Sequence, residues 1–119
     1  MMIKDGISIK QREIYLAYFP FTDLSRSKKR PVLVISNLQH NTFYQDIICC
    51  YITTHAPNFN NCVEIKEKDL ESGFLEYKSA INPTKFFTID QKLFYKRLAS
   101  LKPEFYFKIN NRLLDSIQI

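Results

Sequence analysis

The residues best suited to handling a phosphate are concentrated at one place in this 119-residue chain. Arg26, Lys28, Lys29 and Arg30 form its densest basic cluster, and the cluster stops at Pro31 against the apolar run Val32 to Ile35. Arg30 ends the run at the edge of what should be a buried strand. A guanidinium is permanently charged and offers a planar fork of donors that fits two phosphate oxygens, which a lysine ammonium does not present in the same way. The competing assignment is a solvated surface charge, the common fate of basic side chains.

Other chemistries find less support. Cys49 and Cys50 are adjacent and Cys62 follows twelve residues later, so the three cysteines make neither a disulfide framework nor a CxxC pair. Reduced thiols buried in strands are expected. His40 and His55 lack any neighbouring carboxylate–histidine motif, so neither a metal site nor a cofactor is expected. Gly6 and Gly73 are the only glycines, which removes the phosphate-cradling loops of kinases, P-loop enzymes and Rossmann folds.

The elements that must hold these residues are mostly strands. Ile14, Leu16 and Tyr18 alternate with Glu13, Tyr15 and Ala17, predicting a strand from Arg12 to Phe19 that Pro20 ends. Thr22 to Arg30 is polar enough to predict a loop. Pro31 can open the next strand, and the uninterrupted Val32 to Ile35 predicts burial on both faces. Asn37 to Asp46 is turn-rich, Ile47 to Thr54 is a third strand, and Cys62 to Ile65 is a short one. Gly73 marks a turn before a strand at Leu75 to Ile81, and Pro83 separates that strand from Thr84 to Ile89. Leu93 to Leu98 is ambiguous between strand and helix. After Pro103, Phe105, Ile109, Leu113 and Ile117 recur every four residues, with Tyr106 and Leu114 widening the stripe. This predicts an amphipathic helix with a proline at its first position and that stripe toward the core.

Five or six short strands followed by one helix point to a strongly bent sheet or partly open barrel, and the lack of intervening helices excludes a parallel βαβ fold. The chain carries 17 Lys and Arg against 12 Asp and Glu, and 45% of it is hydrophobic with ten Phe and seven Tyr, which excludes a disordered tail. It is long enough for one domain, 1–119, with residues 1–11 as an N-terminal extension. Nothing approaches the length of a membrane span and the N-terminus lacks a secretory signal, so a cytoplasmic protein with no membrane partner is expected.

Four segments in register carry a family resemblance: EIYLAYFPFTD from Glu13, KKRPVLVISN from Lys28, ITT from Ile52 and FTID from Phe87. Together they resemble the MazF/PemK toxins. The resemblance implies a mainly β fold with a C-terminal helix, an SH3-like small β-barrel of the MazF/PemK/CcdB kind, usually a homodimer. It also implies a toxin of a toxin–antitoxin system that cuts single-stranded RNA (mRNA) without metal and is neutralised by a small cognate antitoxin. In the family the Arg of the RP motif and the first Thr of the ITT motif carry the active site, here Arg30 and Thr53. Expected RNA contacts are Ser27, Lys28 and Lys29 in the basic segment, Thr54 and His55 beside Thr53, and Lys85. Thr54 should line the groove only if its strand ends at Thr53, because successive strand residues face opposite ways.

The chain departs from the family pattern in three places. An Arg and an acidic residue commonly precede the TID segment, where this chain has Asn82 and Thr84; His55, whose imidazole titrates near neutrality, is a candidate substitute. Arg26 replaces a common glycine in the basic segment. Arg12-Glu13 replaces the usual Gly-Asp, which we take as structural. Phe19, Phe21, Phe86 and Phe87 have faces on which unpaired bases can stack, although most Phe in so small a barrel must be core. Competing functions are a catalytically degenerate nucleic-acid-binding or antitoxin-binding module on the same fold and, on fold similarity alone, gyrase inhibition.

Overall fold

The computed structural model describes residues 8–20, 27–54 and 61–119. Phe21, Arg26 and His55 lie outside the described residues. The strands are β1 (Glu13–Pro20), β2 (Ser27–Val34), β3 (Asp46–Thr53), β4 (Val63–Ile65), β5 (Leu70–Gly73), β6 (Ser79–Asp90) and β7 (Phe94–Leu101). A short helix α1 (Leu38–Phe43) joins β2 to β3, and the long helix α2 (Pro103–Ile117) closes the chain. The strands form one antiparallel sheet in the order β4-β6-β3-β2-β1-β7-β5, curled into a nearly closed barrel.

Alternation along the central strands feeds two hydrophobic clusters, one on each face. Tyr15, Ala17, Val32, Val34, Cys49 and Phe94 share the first. Ile14, Leu33, Cys50 and Ile81 share the second with Phe105, Tyr106 and Ile109 of α2. The run Val32-Leu33-Val34 is uninterrupted because both of its faces are covered, as the sequence pattern predicts. Ile9 is also packed into the first cluster, so the segment before β1 contributes to the core.

Several sequence-based expectations are corrected. Ser27–Arg30 are strand rather than loop: their backbone pairs with β1 through Tyr18↔Lys29 and Ala17↔Arg30, and basic side chains are tolerated where they face solvent. Pro31 lies inside β2, just before the β2–β3 ladder begins at Val32, where it costs no ladder bond with β3. Pro83 does not divide two strands, because β6 runs through it with an irregularity in its pairing to β3. Leu75 to Lys78 precede β6, whose first residue is Ser79. The turn-rich segment contains α1, whose amino end is capped when Asn37 Oδ1 accepts from the His40 amide at 2.9 Å. The ambiguous segment resolves into a 3-10 turn at Gln91–Leu93 followed by β7.

The helix begins with proline at its first turn, as predicted, but its stripe is only half buried. Phe105, Tyr106 and Ile109 join the second core cluster, whereas Leu114 and Ile117 are 45% and 60% exposed. Gly73 ends β5 instead of forming a free turn. Its φ is +76°, and an added Cβ would collide with the Leu98 carbonyl oxygen. Arg12 also has a positive φ, 78°, which disfavours a side chain. Its guanidinium donates to the Leu101 carbonyl at 2.6 Å and meets Glu71 at 3.1 Å, tying β1 to the end of β7 and to β5.

Gly73→Ala should lower stability by at least about 2 kcal/mol in chemical denaturation, combining backbone strain with the collision against β7. Burial also pushes the Tyr106 hydroxyl from 10.0 and the Cys50 thiol from 9.0 up to about 12, and it raises Tyr15 and Cys49 further. The folded chain therefore holds protons that the unfolded chain releases. The corresponding stability is complete below the unfolded values and is lost as pH rises. The melting temperature should fall steadily above about pH 9, and a flat profile to pH 12 would contradict this packing.

Candidate active-site groove

Arg30 stands two residues before Val32 and Thr53 two residues after Tyr51, and Val32 is paired with Tyr51 across β2 and β3. The ladder ends there, and Arg30 and Thr53 each lie two residues beyond it on their own strands. Both face the side of the sheet that carries Val32 and Val34, and both line one groove of about 500 Å³. Thr54 follows the end of β3 and lines the groove as well, which meets the condition set by strand alternation.

The opposite wall comes from the irregularity in β6. Cys50 pairs with Phe86 and Ile52 with Ile81, so Tyr51 stands opposite the whole stretch 82–85. Bulged strands re-aim side chains, and this one delivers Asn82 and Lys85 to the groove. Pro83 anchors it as a fully buried side chain. The Asn82 Oδ1 accepts from the Thr84 amide at 3.2 Å and from its hydroxyl at 2.8 Å. The two residues at which the chain departs from the family pattern thus bond to each other and shape the bulge. Phe19, Tyr51 and Phe87 form the supporting wall, with ring centroids 4.4 Å apart for Tyr51–Phe87 and 5.5 Å for Phe19–Phe87.

Not every candidate reaches this groove. Lys28 and Lys29 are exposed on β2, and neither is among the groove residues. Lys29 faces the other side of the sheet, since it alternates with Arg30. Ser27 opens β2, paired with Pro20, and His55 lies outside the described residues. Sequence reasoning missed Cys62, Asn82, Tyr51 and Pro31 as groove residues. Cys62 was expected in a strand but sits half-buried just before β4. Among Phe residues, Phe19 is buried, Phe87 partly buried and Phe86 47% exposed.

Chemically, the groove offers a guanidinium, an ammonium, two threonine hydroxyls, a phenol, a carboxamide and a thiol. No carboxylate or imidazole lines it among the described residues. Nor do those residues bring together three His, Cys, Asp or Glu able to hold a metal. A set of cations and hydroxyls with no opposing carboxylate suits an anionic ligand.

The model of the PemK-like, MazF-like toxins of type II toxin–antitoxin systems matches residues 10–117. The chain belongs to this family. An endoribonuclease from a mycobacterial species superposes with a TM-score of 0.72 at 18% identity, covering 98% of this chain and 97% of that one. MazF from Deinococcus radiodurans, in a structure with MazE, gives 0.75 at 14% identity, covering 96% and 99%. A second MazF structure from that organism gives 0.71 at 15% identity, covering 96% and 100%. These likenesses establish a shared fold. No curated protein matches the chain. No described helix is long and apolar enough to cross a membrane.

In this MazF-like barrel the three thiols differ in access. Cys49 and Cys50 are buried, with thiols pushed up by loss of solvent, whereas Cys62 borders the groove. An aromatic disulfide reagent should therefore titrate Cys62 first in the folded protein. Severalfold slowing of that reaction by a saturating single-stranded 2′-O-methyl oligonucleotide would place an RNA strand in this groove, and an unchanged rate would count against it.

Proposed function

We propose that this chain is the toxin of a type II toxin–antitoxin pair and a metal-independent endoribonuclease acting on single-stranded mRNA at short sequence motifs. The observation that carries this is the meeting of Arg30 and Thr53 in one cationic groove free of described carboxylates. Two solved structures that share the fold are described as an endoribonuclease and as a MazE–MazF complex, which supports both the activity and a small antitoxin as partner. A homodimer is part of the same proposal.

The chemistry is an internal displacement at phosphorus. The neighbouring 2′-oxygen forms a bond to phosphorus, the bond to the 5′-oxygen breaks, the 2′-proton is removed and the 5′-oxygen receives one. The products are a 2′,3′-cyclic phosphate and a 5′-hydroxyl. Arg30 neutralises charge that builds on the non-bridging oxygens, and Lys85 adds a second cation from the bulge. Thr53, stiff at χ1 and able to donate and accept, aligns the reacting ribose and phosphate. Pro31 and the β1–β2 pairing fix the strand position from which Arg30 projects.

A second assignment, a degenerate binding module, is favoured by Asn82 and Thr84, which leave the described groove without an evident proton-transfer pair. One experiment separates them. The purified protein is incubated with long single-stranded RNA in EDTA and new 5′ ends are mapped by primer extension. We expect discrete cuts that persist without divalent metal, and Arg30→Ala should slow them by at least about 100-fold with an unchanged melting temperature. Cutting by Arg30→Ala at the wild-type rate would overturn the proposed role of Arg30. Salt-sensitive binding with intact RNA would establish the degenerate module instead.

A further inference from the structure

The proposed displacement ends with a proton on the 5′-oxygen, which neither Arg30 nor Thr53 is well suited to donate. Tyr51 brings a phenol to the same groove, 39% exposed and two residues before Thr53 on β3. Two strand registers set its place. Phe19 pairs with Lys28 across β1 and β2, and Tyr51 pairs with Val32 across β2 and β3. Arg30 is midway between Lys28 and Val32 on the same face of β2, so the Phe19 and Tyr51 positions flank it on either side. Their strands are two apart in the sheet, yet the ring centroids are 5.8 Å apart, so the rings lean toward each other across the strand that carries Arg30. Phe87 packs against Tyr51 from β6 at 4.4 Å. Contacts on two sides thus hold a phenol beside the guanidinium and the threonine.

Attack by the 2′-oxygen leaves an electron pair on the departing 5′-oxygen, and an alkoxide leaves slowly unless it is protonated as its bond breaks. A phenolate is a weaker base than an alkoxide, so a phenol can make that donation. The other protons in the groove are less suited. Thr53 and Thr54 carry aliphatic hydroxyls, no more acidic than the group they would have to protonate, and a guanidinium does not release its protons. Lys85 is exposed on the bulge at the end of a flexible four-carbon stem. Cys62 stands just before β4, and β4 is three strands from β2 in the sheet.

We propose that Tyr51 is a further catalytic residue of this site, the general acid that protonates the 5′-oxygen as its bond to phosphorus breaks. The 2′-oxygen bonds to phosphorus and gives its proton to solvent water. The electron pair of the breaking bond goes to the 5′-oxygen, which takes the proton from Tyr51 Oη, and solvent reprotonates the phenolate once the 5′-hydroxyl product has left. This role rests on the nuclease assignment above. It provides a proton donor in a chain that has Asn82 and Thr84 in place of the ionisable pair of the family pattern.

The experiment uses a single-stranded RNA that wild type cuts and a version with sulfur replacing the 5′-oxygen at the scissile linkage. A thiolate departs without protonation, so loss of the acid slows only the oxygen substrate. Tyr51→Phe keeps the ring and should lower kcat on the oxygen substrate about 100-fold with KM unchanged, yet cut the sulfur substrate within about threefold of wild type. Arg30→Ala should stay slow on both, because charge builds on the non-bridging oxygens in either case. The sulfur-to-oxygen rate ratio within one preparation cancels the folded fraction, so a partly unfolded variant still gives an answer. Equal slowing of both substrates by Tyr51→Phe, or wild-type cutting of the oxygen substrate, would overturn the acid role and leave the nuclease assignment standing. Rescue by sulfur in Lys85→Met and not in Tyr51→Phe would overturn it in favour of the ammonium. If wild type cuts neither RNA, the nuclease assignment falls and the acid role with it.

Discussion

The register of β2 between β1 and β3 is the constraint on which the candidate site depends. Val32, Leu33 and Val34 are buried on alternating faces, so sliding the strand by one residue would exchange the contents of the two cores. The same slip would turn Arg30 away from Thr53 and bring Lys29 in its place. Because the buried valines and leucine specify the register, they also specify which cation meets the threonine. The basic segment is therefore placed by its apolar neighbours together with its own backbone pairing to β1.

Around that regular centre, the functional surfaces arise where pairing is irregular. The stretch 82–85 opposite Tyr51 is held by buried Pro83 and by the Asn82–Thr84 hydrogen bonds, and it delivers Lys85 to the groove. Tyr95 and Leu98 are the extra residues of β7, and Leu98 lines a second groove on the opposite face. Regular ladders supply rigidity, and bulges choose where side chains point. Positive φ at Arg12 belongs to the same pattern: the residue is conformationally disfavoured, and bonds to Leu101 and Glu71 offset the strain where three strands converge.

Membership of the PemK-like, MazF-like toxins gives this geometry a chemical context. In the proposed reaction the groove supplies charge stabilisation and alignment, the larger contributions expected for displacement at phosphorus. Asn82 and Thr84 are not vacant positions in this chain. Their mutual bonding gives them a conformational task where the family pattern places ionisable groups, so the burden of the chemistry shifts toward Arg30, Thr53 and Lys85 in the proposed mechanism.

By itself the sequence determined the strand-rich fold, the proline-started C-terminal helix and the doubly buried second strand. Periodicity and β-branched runs report local burial directly, and the four motif segments identify the family. It also determined which residue types were available for phosphate chemistry. Only the tertiary structure decided that Ser27–Arg30 are strand, since their polar composition says nothing of the β1 partner that pairs them. It alone decided that β6 continues through Pro83, because a bulge is a property of two strands and not of one. The half-exposed helix stripe, the arrival of Cys62 and Asn82 in the groove and the extra residues of β7 were equally illegible. Each depends on residues far apart in the chain meeting in one register, and local patterns carry no record of such meetings.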